Sequence, residues 1–169
     1  SFTICTAFMV ERWTKYENSK LFVLQDDKGP VWHWVQIFAS ETYTEFSFKF
    51  EDSPKFAAQS ESLFYPLQWT RVCLSRDSNT SLVRLVVDGE LLVEGVWKMK
   101  KKPDNLNLVL GKLNHREDTG RTTNLNIFSS ALPVDQMKLQ TSPGEDECGL
   151  EGDFLSWEKS LEAEQGTLH

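Results

Sequence analysis

Apolar and polar residues alternate along most of this chain with a period of two, the repeat of a β-strand with one face covered. Phe2 to Val10 alternates; Lys20 to Leu24 and Val31 to Phe38 follow, separated by Asp26-Asp27-Lys28-Gly29-Pro30. Glu45-Phe46-Ser47-Phe48-Lys49-Phe50 alternates strictly, the mark of a strand with one wet face. Pro54 and Pro66 punctuate a loop before the next strand, Gln68 to Leu74. The polar turn Asp77-Ser78-Asn79-Thr80 joins that strand to Leu82 to Val87, and Asp88-Gly89 turns into Leu91 to Val96. Asp-Gly between apolar runs is a strong hairpin signal, because the tight turn needs positive φ and glycine adopts it without a steric penalty. Leu106 to Leu110, Thr123 to Phe128 and a final Phe154-Leu155-Ser156-Trp157 complete the strands, and Ala131 to Met137 is the one short helical turn. Many short strands with almost no helical periodicity predict an all-β fold, a two-sheet antiparallel sandwich with one short helix. No internal repeat, low-complexity tract or linker interrupts it, so residues 1–169 read as a single domain.

Composition narrows the partners. With 169 residues, 40% of them apolar and 12% aromatic, the chain is long and apolar enough for a real core. A net charge of -7 argues against nucleic acid and against passive attraction to an anionic membrane. No apolar run approaches the roughly 20 residues that span a bilayer, so no membrane insertion by this chain is expected. Ser1-Phe2-Thr3-Ile4-Cys5 opens directly in a strand without a leader, as in a processed chain or a piece of a longer one.

Of the three cysteines, Cys5 and Cys73 lie mid-strand, positions that suit a bridge between neighbouring strands, while Cys148 sits in the loop Gly144 to Gly149. Three free thiols fit the spacing equally well. Asn79-Thr80-Ser81 is a glycosylation sequon at a hairpin tip, where a glycosylating enzyme can reach it. Enzyme readings fail. Glu145, Asp146, Glu147 and Glu151 sit among glycines without the alternation that would aim two carboxylates at one sugar. His33, His115 and His169 are scattered, and no nucleophile elbow, phosphate loop or zinc spacing is present. The chain is expected not to be an enzyme.

Several motifs, in order, resemble the pentraxins and the related laminin-G-like jelly rolls. Phe2-Thr3-Ile4-Cys5 and Trp69-Thr70-Arg71-Val72-Cys73 match the family's two cysteine strands, and Val87-Asp88-Gly89 matches the turn that follows. Leu110-Gly111, then Gly120 to Phe128, Ala131-Leu132-Pro133 and Gly152 to Trp157 match the later elements. The resemblance implies a concanavalin A-like jelly roll with a Cys5–Cys73 disulfide, leaving Cys148 free or paired outside this chain. It also implies that both ends are clipped, because the family places further strands before the Phe-Thr-x-Cys strand, so an open sheet edge is expected beside Phe2 to Phe8.

Pentraxins bind ligands through calcium, and the resemblance maps that site onto Glu17, Asn18, Glu117 and Asp118. The departure lies in the second half: Gly111-Lys112-Leu113-Asn114-His115-Arg116-Glu117-Asp118 stands where an acid-rich loop is expected. A hard cation wants six to eight oxygens, and basic or apolar residues weaken such a site. The expectation is no cofactor, with calcium left open. For partners, Trp32 and Trp34 are candidate contact residues, since tryptophan stacks on sugars and anchors interfaces. The basic cluster Lys98, Lys100, Lys101 and Lys102 is a candidate dock for a sulphated glycan or an acidic protein. Together these readings give an extracellular, secreted or cell-surface recognition and adhesion module for proteins or glycans. The alternative is a calcium-dependent, oligomerising, lectin-like pattern-recognition protein.

Overall fold

The computed structural model describes residues 1–12, 19–26, 31–39, 44–50, 56–60, 67–96, 98, 106–112, 119–142 and 150–156. In chain order they form β1 (Phe2–Arg12), β2 (Ser19–Asp26), β3 (Val31–Ala39), β4 (Thr44–Phe50), β5 (Phe56–Ser60), β6 (Thr70–Arg76), β7 (Leu82–Val87), β8 (Glu90–Val96), β9 (Leu106–Lys112), β10 (Thr119–Phe128) and α1 (Val134–Thr141). The strands are ordered β10-β1-β6-β7-β8 in one five-stranded sheet and β5-β4-β3-β2-β9 in another. The chain divides into two compact units, one of Ser1–Phe8, Thr70–Trp97 and Thr122–His169, the other of Met9–Trp69 and Lys98–Arg121.

In the first unit the registers run antiparallel from β1 to β6, β6 to β7 and β7 to β8, with Cys5 opposite Cys73 and Cys73 opposite Val86. Side chains alternate across a strand, so consecutive buried residues mean burial on both faces. Residues 3 to 8 of β1 and Val72 to Ser75 of β6 are all buried. The one-sided alternation expected for Phe2 to Val10 is therefore replaced by a strand covered on both sides. The polar members are paired: Thr6 Oγ1 donates to the Thr123 carbonyl at 3.1 Å, and Thr3 bonds the loop after β10.

Helix α1 covers one face by packing on β6, β7 and β8. Met137 is fully buried there in a cluster with Cys5, Cys73, Val86, Phe128 and Leu132. The helix starts later than its sequence pattern suggests, because Pro133 keeps an extended backbone (φ -57, ψ 152). It ends at Thr141, with Ser142 extended (φ -66, ψ 130) just ahead of Pro143, since a following proline disfavours helical backbone.

Four further expectations change. β5 occupies part of the stretch read as loop, pairing with β4 from Thr44↔Ser60 to Phe48↔Phe56. Of the anticipated final strand, the described residues Phe154 to Ser156 make one bridge, Ile127↔Leu155, and Trp157 lies outside the described residues. Backbone bonds from Phe154 and Leu155 to the Ile127 carbonyl hold the segment tightly there, and only glycine fits at 152, where a Cβ would stand 2.0 Å from the Leu155 carbonyl oxygen and 2.6 Å from that of Ile127. β1 is flanked by β10 and β6, so the outer strands of this sheet are β10 and β8. The sheet edges thus lie there, that of β10 bridged at Ile127 by Leu155, and not beside Phe2 to Phe8. The strand expected from Gln68 begins at Thr70, with Leu67 at φ 67 and Trp69 45% exposed before it.

In the second unit, β2 pairs antiparallel with β3 and β9, and β3 with β4. β2 carries bulges between Lys20 and Phe22 and between Leu24 and Gln25.

Candidate recognition surface

The β6–β7 turn organises its own tip. Asp77 accepts the Asn79 backbone N–H at 2.9 Å and the Thr80 hydroxyl at 2.8 Å, an Asx-type turn. These bonds favour the charged form and hold the Asp77 carboxyl below the usual carboxylate range, the Asn79 N–H contributing most. Ser1 joins them: its hydroxyl donates to Asp77 Oδ1 at 3.3 Å and accepts the Ser78 N–H at 3.0 Å. Ser81 closes the turn at φ 60, and Asn79 is exposed at its apex.

Beside this tip lies a groove of about 620 Å³. Ser1 lines it ahead of β1, Asp77 and Arg84 from the hairpin, Ser129, Ser130 and Pro133 from the segment between β10 and α1, and Val134 from the first turn of α1. A buried threonine and an exposed aspartate fix that segment. Thr3 Oγ1 donates to the Ser130 carbonyl and accepts the Leu132 N–H, both at 2.8 Å. Asp153 accepts the Ser129 N–H at 2.7 Å and also its hydroxyl, bonds that keep the carboxyl below its ordinary range. Arg84 is held by an ion pair, Nε to Glu94 Oε2 at 2.6 Å.

At the other end of β7, Asp88 and Gly89 take φ 46 and 84, the two positive values of a type I′ turn, as the Asp-Gly pair predicts. Asp88 accepts the Arg71 N–H at 2.8 Å, and its own N–H donates to the Arg71 carbonyl at 2.9 Å. The turn also anchors α1: Gly89 N–H donates to Thr141 Oγ1 at 3.0 Å, and Arg71 Nη1 to the Ser142 carbonyl at 2.9 Å.

Cys5 and Cys73 form the disulfide implied by the pentraxin resemblance, directly opposed on β1 and β6 with Cα atoms 4.1 Å apart. Lys98 is exposed, and Trp32 and Trp34 lie two residues apart on β3. Lys100, Lys101, Lys102, Glu17, Asn18, Glu117, Asp118 and Cys148 fall outside the described residues. Among the described residues no group of three or more His, Cys, Asp or Glu could hold a metal ion. Sequence reading missed Thr3, Arg84, Ser129, Ser130 and Pro133. Arg84 had a signal, one charge interrupting the apolar run Leu82 to Val87; the others have none until the fold brings them together.

Comparison with known proteins bears on this arrangement. No family model matches the chain. Jeltraxin from Lepidobatrachus laevis is 26% identical over 102 residues, 54% of this chain and 44% of that protein. The heptameric SAP-like pentraxin of Limulus polyphemus superposes with a TM-score of 0.73 at 12% identity, over 92% of this chain and 75% of that one. The chain has a pentraxin-like fold. The CBM40 domain of a Ruminococcus gnavus IT-sialidase, solved with α2,3 sialyllactose, is also similar, with a TM-score of 0.58 at 14% identity over 83% of this chain and 82% of that domain. At these identities the structural likeness establishes the fold alone, and the chain spans less than half the length of Jeltraxin.

Proposed function

We propose that this chain is a non-catalytic extracellular recognition module whose partners are glycans or proteins. The observation that carries the reading is the coincidence of sequence and fold: the pentraxin likeness recurs in both, and the Cys5–Cys73 pair is bonded as that likeness implies. A disulfide fits an oxidising, extracellular compartment. The finer architecture is a two-sheet jelly-roll sandwich. Its support is the face of the first sheet away from α1, where Ile4, Phe8, Val72, Leu74, Val83 and Leu85 are all buried. A glycan on Asn79 would project from the exposed hairpin tip. Lys98, with Lys100 to Lys102, supplies a dock for a sulphated chain, and Trp32 and Trp34 a further contact surface. The outer strands β8 and β10 offer sheet edges for pairing with a partner chain.

A second reading is an oligomerising, calcium-dependent, lectin-like protein, and the heptameric state of the Limulus pentraxin is the observation that favours it. One experiment separates the two. Retention of the oxidised chain on a glycan array, with its thermal midpoint, is measured in chelator and in millimolar calcium. A ligand that binds only the folded state raises stability by about 2.7 kcal/mol at a hundredfold excess over Kd. Calcium-independent retention supports the first reading, and a saturable calcium-driven rise in midpoint together with calcium-dependent retention supports the second. Absence of retention on any glycan in either condition removes glycans from the partner class and leaves proteins.

A further inference from the structure

The groove beside the Asp77–Thr80 turn has the make-up of a sugar subsite. We infer that it binds the terminal two or three residues of a neutral oligosaccharide, an inference that rests on the recognition reading above. A sugar ring presents hydroxyls around its rim and C–H groups on its faces, so its site needs convergent polar groups beside a small apolar surface. The groove supplies both. The ionised Asp77 carboxylate accepts hydroxyl protons, the Arg84 guanidinium has N–H donors beyond the Nε used on Glu94, and the Ser130 hydroxyl serves in either sense. Pro133 and Val134 give the apolar contact. At about 620 Å³ the groove falls within the range of small-ligand sites, roughly 300–1,000 Å³, and exceeds what one sugar ring fills.

Charge selects neutral over acidic sugars. Two cationic groups stand in the lining: Arg84, matched by Glu94 at 2.6 Å, and the Ser1 ammonium, which donates to the Ser78 hydroxyl at 3.2 Å beside the Asp77 carboxylate. A sialic acid or a sulphate would meet the Asp77 carboxylate, while the Arg84 charge is already taken by Glu94 and the Ser1 ammonium lies against the Asp77–Ser78 tip. The groove is also built in advance. Thr3 is fully buried and clamps Ser130 and Leu132 from below, and Asp153 clamps Ser129 from the side, so the ligand need not order the loop on binding.

The test uses the 169-residue chain in oxidised form and immobilised neutral oligosaccharides ending in hexose, deoxyhexose or N-acetylhexosamine, with sialylated counterparts alongside. Two variants are compared with the parent: Ser130→Trp, which fills the groove from an exposed position, and Arg84→Gln, which removes the donor fork. The thermal midpoint of each variant checks that it is folded. The expected result is retention of at least one neutral glycan by the parent, weaker retention of its sialylated form, and a loss of about tenfold or more in each variant. Equal retention by parent and folded variants overturns the groove as the site while leaving the recognition reading intact. Preference for the sialylated glycans overturns the ligand class. Failure of the parent to retain any glycan overturns the inference together with the glycan half of that reading.

Discussion

The hairpin turns at the two ends of β7 each begin with an aspartate, but the two carboxylates meet different surroundings. Asp77 serves its own turn, collecting the Asn79 N–H and the Thr80 hydroxyl, and those bonds hold it below the usual range. Asp88 keeps an exposed outer side, yet the protein packed about it strips enough water to push its carboxyl above that range. It spends one bond on Arg71, while the adjacent Gly89 and Arg71 hold the C-terminal end of α1. The first turn therefore stands free as the wall of a groove, and the second is a structural clamp. Similar turn chemistry yields the wall of an open groove where little packs on it and a fastening where a helix does.

The largest expected effect comes from removing the element both turns hang from. Cys5 and Cys73 tie β1 to β6 across a sequence separation of 68 residues, beneath Met137. The double substitution Cys5→Ala/Cys73→Ala should cost about 2–5 kcal/mol, most of it through the unfolded chain. A thermal midpoint within about 2 °C of the parent would show that packing alone holds the two strands together. Next is Thr3→Val, which leaves the buried Leu132 N–H and the Ser130 carbonyl without their partner. The cost of such orphaned groups is about 1–3 kcal/mol. Faster amide exchange should be confined to the groove end, around residues 129–132. Equal loosening of α1 at Met137 to Thr141 would mean the two ends do not behave separately.

How far this contrast could be read from sequence depends on how local its causes are. The Asp88-Gly89 turn was fully legible, since two adjacent residues dictate it. The cysteine positions could be read as mid-strand, but their pairing came from the family resemblance, because three cysteines do not choose partners by spacing. β5 was missed because Phe56-Ala57-Ala58-Gln59-Ser60 is short and alanine-rich, with weak strand propensity; pairing with β4 decides it. The groove was half visible. Asp77 and Asn79 announced a turn, but the opposite wall is about 50 residues further on and is held by Thr3, 127 positions away from Ser130. A threonine in an alternating strand looks like a solvent-facing residue until that loop is known to lie over it.

A smaller effect tests the clamp alone. Gly89 sits at φ +84, and a Cβ there would come within 3.2 Å of Ser142 Oγ. Gly89→Ala should cost about 1–2 kcal/mol, the penalty of a left-handed backbone for an L-residue. The exchange of α1 amides near Thr141 should rise while the groove end keeps its protection. An unchanged midpoint would show that the turn tolerates a side chain by shifting Ser142.

The smallest effect is the most specific to the contrast between the two aspartates. Crowding raises the Asp88 carboxyl, the Arg71 N–H and charge pull it back, and Glu90 pushes it up. An acid whose folded pKa lies above its unfolded value binds its proton more tightly in the folded state. Its ionisation therefore removes stability as pH rises from the ordinary aspartate value of about 3.8 through the raised folded value. Asp77 and Asp153 are lowered, so their contributions are present above that ordinary value and are lost as pH falls through their folded values. Asn at position 88 can still accept the Arg71 N–H and tolerates positive φ, but it cannot ionise. Asp88→Asn should thus leave stability nearly unchanged at pH 3, where Asp88 is protonated, and raise it at pH 7. Solvent screens a group this exposed, so the gain is expected to be below about 1 kcal/mol. The measurement is the midpoint difference between variant and parent from pH 3 to 7. A difference that grows with pH and then levels supports the assignment. A variant less stable at pH 7 than the parent would mean that the Asp88 charge, through Arg71, strengthens the clamp, and that the two turns use their carboxylates alike.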